Sequence, residues 1–358
     1  MISRRVNIQV IGLLLIVGAT APAQRMSSQA QKLAEEFGEG TYLRMTPHYL
    51  LVYDTPHAWA DSRVALLERA HDAFYNVMNA AGFEPAPIDG RLIGVLFNKH
   101  RDYLAYGHKH DGIDVSSAGG YYSPRSNRIA MFNTQSSPQL AKHRKQIAQL
   151  QRQIDQATQR ADAAGEAGDM TRAAHYRQIK LRAINQVSLL RNQVQRGAGL
   201  NNISQTIHEA THQLAFNSGI QSRYVNNPFW LSEGLATNFE TMSPAVPFGP
   251  GQDNLVRRRA LLKAAKAGQL DPLSKFVGRV QLEDAVKDDQ RERLYAQAWG
   301  LFSFLFETRR DALREYMQQV AAGQGGSNSE QLIANFEKHF GTLKSVGDGF
   351  RQWISRLN

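Results

Sequence analysis

The segment His208-Glu209-Ala210-Thr211-His212 places two imidazoles and a carboxylate within five residues. Residues four apart lie one turn above each other on a helix, so the two histidines can present their rings to the same ion. A catalytic zinc takes three protein ligands and leaves one position for water, which becomes acidic enough for a neighbouring carboxylate to deprotonate. The spacing therefore predicts a Zn²⁺ site in which His208 and His212 are ligands and Glu209 is the general base.

A third ligand is available in the next apolar segment. Glu233 follows His212 within the sequence Trp-Leu-Ser-Glu-Gly-Leu-Ala, which begins shortly after Pro228 and is typical of a new helix. The metzincin class of zinc peptidases needs a glycine and then a histidine soon after the second motif histidine, but this chain has Ala215 and Ser218 there. That class is excluded, and Glu233 is the predicted third ligand.

The zinc motif is predicted to lie on a helix that starts just before it. Asn202 or Ser204 can cap the N-terminus, and apolar residues recur at helical spacing through the motif. The stretch 217–219 ends in glycine and is typical of a helix stop.

These segments, together with Gly-Gly-Tyr-Tyr-Ser-Pro at 119–124 and Leu-Tyr-Ala-Gln-Ala-Trp at 294–299, resemble the gluzincins, the thermolysin-like zinc peptidases. More narrowly, they resemble a peptidase-MA-like domain family of largely unknown function. The resemblance spans roughly residues 49–306, apart from an insertion. It implies a zincin-like α+β catalytic domain, a peptide or protein substrate, and zinc held by His208, His212 and Glu233.

The resemblance also implies roles that the residues alone do not establish. Tyr295 is implied as the donor to the transition-state oxyanion, although its apolar surroundings are equally consistent with simple core packing. One arm of the hairpin that contains residues 120–132 is implied as the edge strand that binds extended substrate. The thermolysin pattern has an aspartate four residues after the ligand glutamate, but Thr237 stands there. Asn238 and Glu240 are both nearby substitutes.

The N-terminus has the pattern of a secretory signal peptide. Arg4 and Arg5 precede an apolar run at 10–17, and Ala21-Pro22-Ala23 suits cleavage after residue 23. The chain is therefore expected to be exported, periplasmic or secreted, with no stable membrane span after cleavage; an uncleaved anchor is the alternative. Because the chain has no cysteine, its stability must come from burial and the metal rather than from disulfides.

Residues 138–200 form a basic insertion. It contains eleven Lys or Arg and four acidic residues, so most of the formal net charge of +10 lies there and the remaining chain is nearly neutral. The chain is accordingly not expected to bind nucleic acid. Apolar residues follow heptad spacing on both sides of Ala164-Gly165-Glu166-Ala167-Gly168, which predicts an antiparallel coiled-coil hairpin. The hairpin is either an arm that contacts an anionic partner or limits access to the cleft, or a solvated spacer.

The remaining chain divides around this insertion. Residues 24–137 are the predicted N-terminal αβ part, with buried strands at 48–53 and 91–97, a helix between them, and a hairpin of strands at 120–123 and 128–132. Residues 201–243 carry the zinc-site helices, and 244–358 form an α-helical C-terminal lobe with helices at 311–321, 329–340 and 346–357.

The predicted function is that of an exported zinc metallopeptidase of the gluzincin type. Two other functions stay open. The first is a noncatalytic zinc-binding extracytoplasmic scaffold that acts through its helical hairpin. The second is a zinc amidase that acts on cell-wall material, because the same chemistry hydrolyses many amides.

Overall fold

The computed structural model describes residues 20–282 and 286–357. Within these ranges the fold is mixed α+β and mostly helical, with a five-stranded mixed sheet. The strands are β1 (Tyr42–Met45), β2 (Tyr49–Tyr53), β3 (Leu92–Phe97), β4 (Gly120–Ser123) and β5 (Arg128–Phe132). The helices before the zinc motif are α1 (Thr20–Phe37), α2 (His57–Ala80), α3 (His100–Tyr106) and α4 (Pro138–Glu166).

The helix that carries the motif is α5 (Met170–Asn217), and α6 (Phe229–Phe239) follows it. The C-terminal part consists of α7 (Leu255–Lys266), the short α8 (Leu273–Phe276), α9 (Asp288–Thr308), α10 (Arg310–Ala321), α11 (Ser329–Phe340) and α12 (Leu343–Ser355). The four predicted strands and the mostly helical C-terminal part are thus present, within a few residues of their expected bounds.

The sheet has the strand order β1-β2-β3-β5-β4. β2, β3 and β5 are parallel, whereas β1 and β4 pair antiparallel with their neighbours and form the two edges. β4 and β5 are the predicted hairpin, with Tyr122 opposite Ile129. Because β5 is inside the sheet, β4 is the arm of this hairpin that has an outer edge.

Both faces of the sheet are covered, which explains why its central strands are almost uniformly apolar. One face packs on α2 and α5 and includes Tyr49, Leu51 and Met131. On the other face, Leu50 packs against α1, and Val95 packs in a hydrophobic cluster with residues of α3. Alternate strand residues therefore enter different clusters, as the period of two requires.

α5 differs from the sequence prediction at its start. It is one continuous helix of 48 residues that begins at Met170, after Asp169 caps its N-terminus. The prediction of a separate helix capped by Asn202 or Ser204 is therefore wrong. The second helix of the insertion and the motif helix are the same helix, so the insertion is joined to the candidate site without a hinge of irregular backbone.

The insertion itself folds back on α5. α4 ends at Glu166, and the turn contains Gly168 with a φ of +77°, a conformation that glycine adopts easily. The apolar positions expected at the interface of the two helices are all buried or half-buried, as follows: 140, 147, 150, 154, 157 and 161 on α4, and 176, 183, 187, 190 and 194 on α5.

α6 packs closely on α9, and this contact joins the site to the C-terminal part. A Cβ built at Gly234 would lie 2.8 Å from the Ala298 carbonyl oxygen and 2.8 Å from Cβ of Phe302. Only a glycine lets the two helix backbones approach this far. Asn238 adds a hydrogen bond across the same contact, from its amide to the Trp299 carbonyl oxygen at 3.1 Å.

The predicted signal peptide lies mostly outside the described residues, including its apolar run at 10–17. The expected cleavage position after Ala23 falls within the bounds of α1. Among the described residues, no helix combines the length and the apolar character that crossing a bilayer requires.

Candidate metal centre

α5 and α6 bring the three predicted ligands together. His208 and His212 lie one turn apart near the end of α5, and Glu233 lies near the start of α6. The Nε2 atoms of the two histidines are 3.1 Å apart. Oε2 of Glu233 lies 3.1 Å from Nε2 of His208 and 3.5 Å from Nε2 of His212. The ligand atoms all lie within 4.8 Å of one another, so this group can hold a metal ion.

The hydrogen bonding of the group fits a cation. Oε2 of Glu233 is buried and has no hydrogen-bond partner among the described residues, although two ring nitrogens lie beside it. A buried acceptor without a donor is unfavourable, and a cation at the point where the three ligand atoms converge would satisfy it. The side chains of His208, His212 and Glu233 are only 9, 11 and 19% exposed.

Glu240 contacts the other side of the first histidine ring. Its Oε1 accepts a hydrogen bond from Nδ1 of His208 at 2.9 Å, when that nitrogen carries the proton. Arg257 holds the same carboxylate with two bonds, from Nε at 2.7 Å and from Nη2 at 2.6 Å. A carboxylate on Nδ1 fixes the tautomer that leaves Nε2 free to bind metal.

Thr237 and Asn238, near the end of α6, donate hydrogen bonds to backbone carbonyls rather than to a histidine. The Thr237 hydroxyl donates to the Glu233 carbonyl oxygen at 2.6 Å. Asn238 donates to the Gly234 carbonyl oxygen at 2.8 Å, in addition to its bond to α9. Of the two substitutes that the sequence left open, Glu240 is therefore the one that contacts a ligand.

The electrostatics of the group favour a positively charged occupant. Burial opposes the ionisation of Glu233, but His212 and His208 outweigh it and hold its pKa well below the usual range. Burial likewise opposes the ionisation of Glu240, yet Arg257 and His208 lower its pKa to about 2. Burial disfavours the imidazolium form of His208, but Glu233 and Glu240 raise its pKa to about 10. Two buried carboxylates thus attract a cation to this ring.

Glu209 lies next to the ligands and is held by the edge strand. Its Oε2 accepts a hydrogen bond from the Tyr122 backbone N–H at 2.8 Å. Burial raises the pKa of the Glu209 carboxyl, which brings it closer to the range of a general base that works near neutral pH.

A second contact joins the same helix to the same strand. One turn before Glu209, Gln205 donates from Nε2 to the Gly120 carbonyl oxygen at 3.0 Å. Gly120 and Tyr122 thus direct one backbone group each toward α5 rather than toward solvent. The expectation that this edge binds an extended substrate stays a prediction, and at these two groups a substrate would have to replace the existing bonds.

Tyr295 lies on α9 beside the candidate ligands. Its ring centroid is 6.0 Å from that of His208, and the guanidinium of Arg257 lies over the ring at 5.5 Å. Burial, followed by the carboxylates of Glu233 and Glu209, raises the pKa of the Tyr295 phenol well above its ordinary value. The phenol therefore keeps its proton and can donate it in a hydrogen bond.

Two cavities border the group. The first, which we call the Glu209 cavity, has a volume of about 600 Å³ and is lined by His208, Glu209 and residues of α7 and α9. The second, the Glu233 cavity, has a volume of about 310 Å³ and lies against Glu233 and the chain before α6. Tyr295 and Arg291 line both. A further cavity of about 920 Å³ in the C-terminal part shares no residue with the candidate metal centre.

Sequence reasoning missed Gln205, Arg257 and Arg291. Gln205 lies four residues before Glu209, so its position on the same helix face was a usable signal. Arg291 lies four residues before Tyr295, so its position on the same face of α9 was a usable signal too. Arg257 lies on a helix to which the sequence analysis assigned no role, and no spacing connects it to the zinc motif. The contribution of the two arginines follows from the tertiary arrangement of α7 and α9 around α6.

Comparison with known proteins found similarity to a protein family. A search of the curated proteins found no match. A family model described as a protein of unknown function (DUF1570) matches residues 202–324, about a third of the chain. This segment contains the candidate ligands, Glu209, Glu240, Arg257 and Tyr295. The matched segment therefore includes all three candidate ligands, whereas the edge strand that holds Glu209 lies outside it.

Proposed function

We propose that the protein is a zinc metallopeptidase of the gluzincin type, with a zincin-like catalytic domain formed by the sheet, α5 and α6. The observation that carries the proposal is the convergence of three ligand atoms within 4.8 Å, beside a buried carboxylate at Glu209. His208, His212 and Glu233 would hold Zn²⁺. Two imidazoles and one carboxylate are a ligand set that catalytic zinc uses, with a fourth position open.

Bound zinc would polarise the substrate carbonyl and make a water molecule more acidic. The residues of this chain would do the remaining work. Glu209, held by the Tyr122 N–H, accepts a proton from the attacking water and later passes it to the leaving amine. The Tyr295 phenol donates to the carbonyl oxygen as that oxygen gains negative charge.

The same proposal includes the location and the insertion. Residues 1–23 act as a signal peptide, and the protein works in the periplasm or outside the cell. α4 and the first part of α5 form a coiled-coil hairpin, which the burial of its heptad positions supports. The excess basic charge lies on this hairpin rather than around the cleft, so the partner is a peptide or protein and not a nucleic acid.

The test compares the purified wild-type protein with Glu209→Gln. Wild-type protein is expected to carry about one zinc ion per chain and to cleave a generic protein substrate, with cleavage lost on chelation and restored by zinc. Glu209→Gln is expected to keep its zinc and lose cleavage by a factor of roughly 100 or more. Glu315→Gln removes an exposed acid on α10 and is the control that should match wild type.

Two outcomes would contradict the proposal. Full cleavage by Glu209→Gln would refute its role as the base. A zinc-loaded wild-type protein that cleaves no peptide would favour the scaffold or the cell-wall amidase. Deletion of residues 138–200 separates those two, because only the scaffold requires the hairpin for function while tolerating Glu209→Gln.

A further inference from the structure

Arg291 is a positively charged residue beside the candidate metal centre, and the proposed mechanism gives it no role. It lies on α9 four residues before Tyr295, so the two side chains occupy the same face of that helix. Both residues line the Glu209 cavity and the Glu233 cavity. Arg291 therefore lies where the two cavities meet, beside the candidate oxyanion donor.

The Arg291 side chain donates no hydrogen bond to any of the described residues. Its Nε is shielded from solvent and has no hydrogen-bond partner among the described residues. Arg291 also forms no ion pair with any residue that the structure describes. Asp288 and Glu292 line the Glu209 cavity too, but both are exposed. A buried N–H without an acceptor is unfavourable, so a ligand that supplies an acceptor is favoured here.

Arg257, which also lines the Glu209 cavity, shows the contrast. Its guanidinium donates two hydrogen bonds, one to each oxygen of Glu240. Among the described residues, Arg291 has no such carboxylate partner, since the nearby acids Asp288 and Glu292 are exposed and neither pairs with it. Its guanidinium therefore remains available to a carboxylate that a ligand brings.

We propose that Arg291 binds a carboxylate of the substrate while the scissile amide lies at the candidate metal centre. The inference rests on the proposed peptidase function and names its substrate class: peptides with a carboxylate close to the cleaved bond. Arginine suits this task because its planar group binds a carboxylate through two parallel hydrogen bonds. The carboxylate belongs either to the C-terminus of the peptide or to an Asp or Glu side chain, and the two sources present the same chemistry.

The experiment uses three N-blocked peptides that differ only in charge. The first has an amidated C-terminus and a glutamine beside the cleaved bond, the second has a free C-terminal carboxylate, and the third is amidated with glutamate in place of glutamine. We expect wild type to prefer one of the charged peptides over the neutral one by roughly tenfold or more in kcat/KM. Preference for the second peptide identifies a carboxypeptidase, and preference for the third identifies an endopeptidase for acidic sites.

Arg291→Gln is expected to lose that preference. Its kcat/KM on the preferred charged peptide should fall by roughly 10- to 100-fold, with less than about a twofold change on the neutral peptide. Arg293→Gln removes an equal charge from the same helix, at an exposed pair with Asp289 outside both cavities, and should match wild type. A wild type without preference, or an equal loss on all three peptides in Arg291→Gln, would overturn the inference.

A binding measurement separates this inference from the proposed function. Calorimetry with metal-free protein compares the charged peptides with the neutral one, so that no carboxylate can bind a metal instead. Wild type should bind a charged peptide about tenfold more tightly than Arg291→Gln does, and the neutral peptide equally. If wild type cleaves no peptide, this binding comparison alone tests the role of Arg291. Equal affinities of wild type and Arg291→Gln for the charged peptides would then reject that role.

Discussion

Nδ1 of His208 lies 2.9 Å from the Glu240 carboxylate, while Nε2 of the same ring faces Glu233 at 3.1 Å. The imidazole thus lies between two carboxylates: Glu233, the candidate metal ligand, and Glu240, which orients the ring. Glu240 is the residue just after α6, and its backbone leaves the helix there. Arg257 fixes it from α7 with two hydrogen bonds. The orientation of the first candidate ligand therefore depends on three helices.

Replacing Glu240 with glutamine should weaken metal binding. The amide can still accept a hydrogen bond from His208, but it loses the charge that favours the correct tautomer and the ion pair with Arg257. We expect zinc affinity to fall by roughly 10- to 100-fold, measured by competition with a chromophoric chelator. Asp253→Asn, which breaks the partly exposed pair of Asp253 with Arg258, is the control. An affinity equal to that of wild type would show that Glu240 does not support the ligand.

Tyr295→Phe tests the phenol separately from its ring. The ring contacts to His208 and Phe229 remain in this variant, so the fold and the zinc content should be unchanged. If the hydroxyl donates to the developing oxyanion, kcat should fall by roughly 100-fold with little change in KM. Tyr224→Phe, at a tyrosine that is 91% exposed, should have wild-type kinetics. An unchanged kcat in Tyr295→Phe would leave this residue with a packing role only.

The predicted metal ligands could be found from the sequence because helix geometry encodes them locally. His208 and His212 are four residues apart, and Glu233 lies at the start of the very next helix. Glu240 could not be selected in the same way, because it lies beyond the end of α6 and no helical period extends to it. Arg257 reaches the cleft only through long-range packing, which a single sequence does not reveal. Arg291 could be placed only relative to Tyr295, four residues later on the same helix.

The sheet could be predicted where burial leaves a pattern. β2 and β3 are buried on both faces and read as short apolar runs. β1 is a four-residue edge strand whose side chains are exposed or half-exposed, so it lacks that pattern. The start of α5 was predicted wrongly because residues 195–202 contain two glycines and two asparagines, which are weak helix formers. The continuous helix shows that tertiary context overrides this local preference.

Glu36, which lies away from the cleft, is expected to stabilise the fold in a pH-dependent way. It joins α1 to β5 through Arg128, whose Nη1 and Nη2 donate to its two oxygens at 2.6 and 2.8 Å. His110 lies 3.0 Å from the same carboxylate. The hydrogen bonds from Arg128 lower the pKa of Glu36 below its ordinary value of 4.5. A carboxyl with a lowered folded-state pKa stabilises the fold above its unfolded-state pKa, and this contribution is lost as pH falls through the folded-state value.

Glu36→Gln should therefore melt below wild type at pH 7, by roughly 2 °C, because the pair is partly exposed and screened by solvent. The difference should shrink as pH falls below about 4.5, where wild type loses the charge. Thermal unfolding followed by circular dichroism from pH 3 to about 7 measures both effects. Glu39→Gln, at a neighbouring exposed acid, is the control, and a difference that persists unchanged at the lowest pH would contradict the charge-based explanation.

Gly234→Ala should damage the candidate site through the fold. The new Cβ would lie 2.8 Å from both the Ala298 carbonyl oxygen and Cβ of Phe302, so α6 would have to move away from α9 and carry Glu233 with it. We expect a loss of roughly 1 to 3 kcal/mol in unfolding free energy, together with weaker zinc binding. Gly165→Ala, at a helical glycine with open space around it, should be neutral or slightly stabilising. Wild-type stability and zinc affinity in Gly234→Ala would mean that the contact between these helices does not position the ligand.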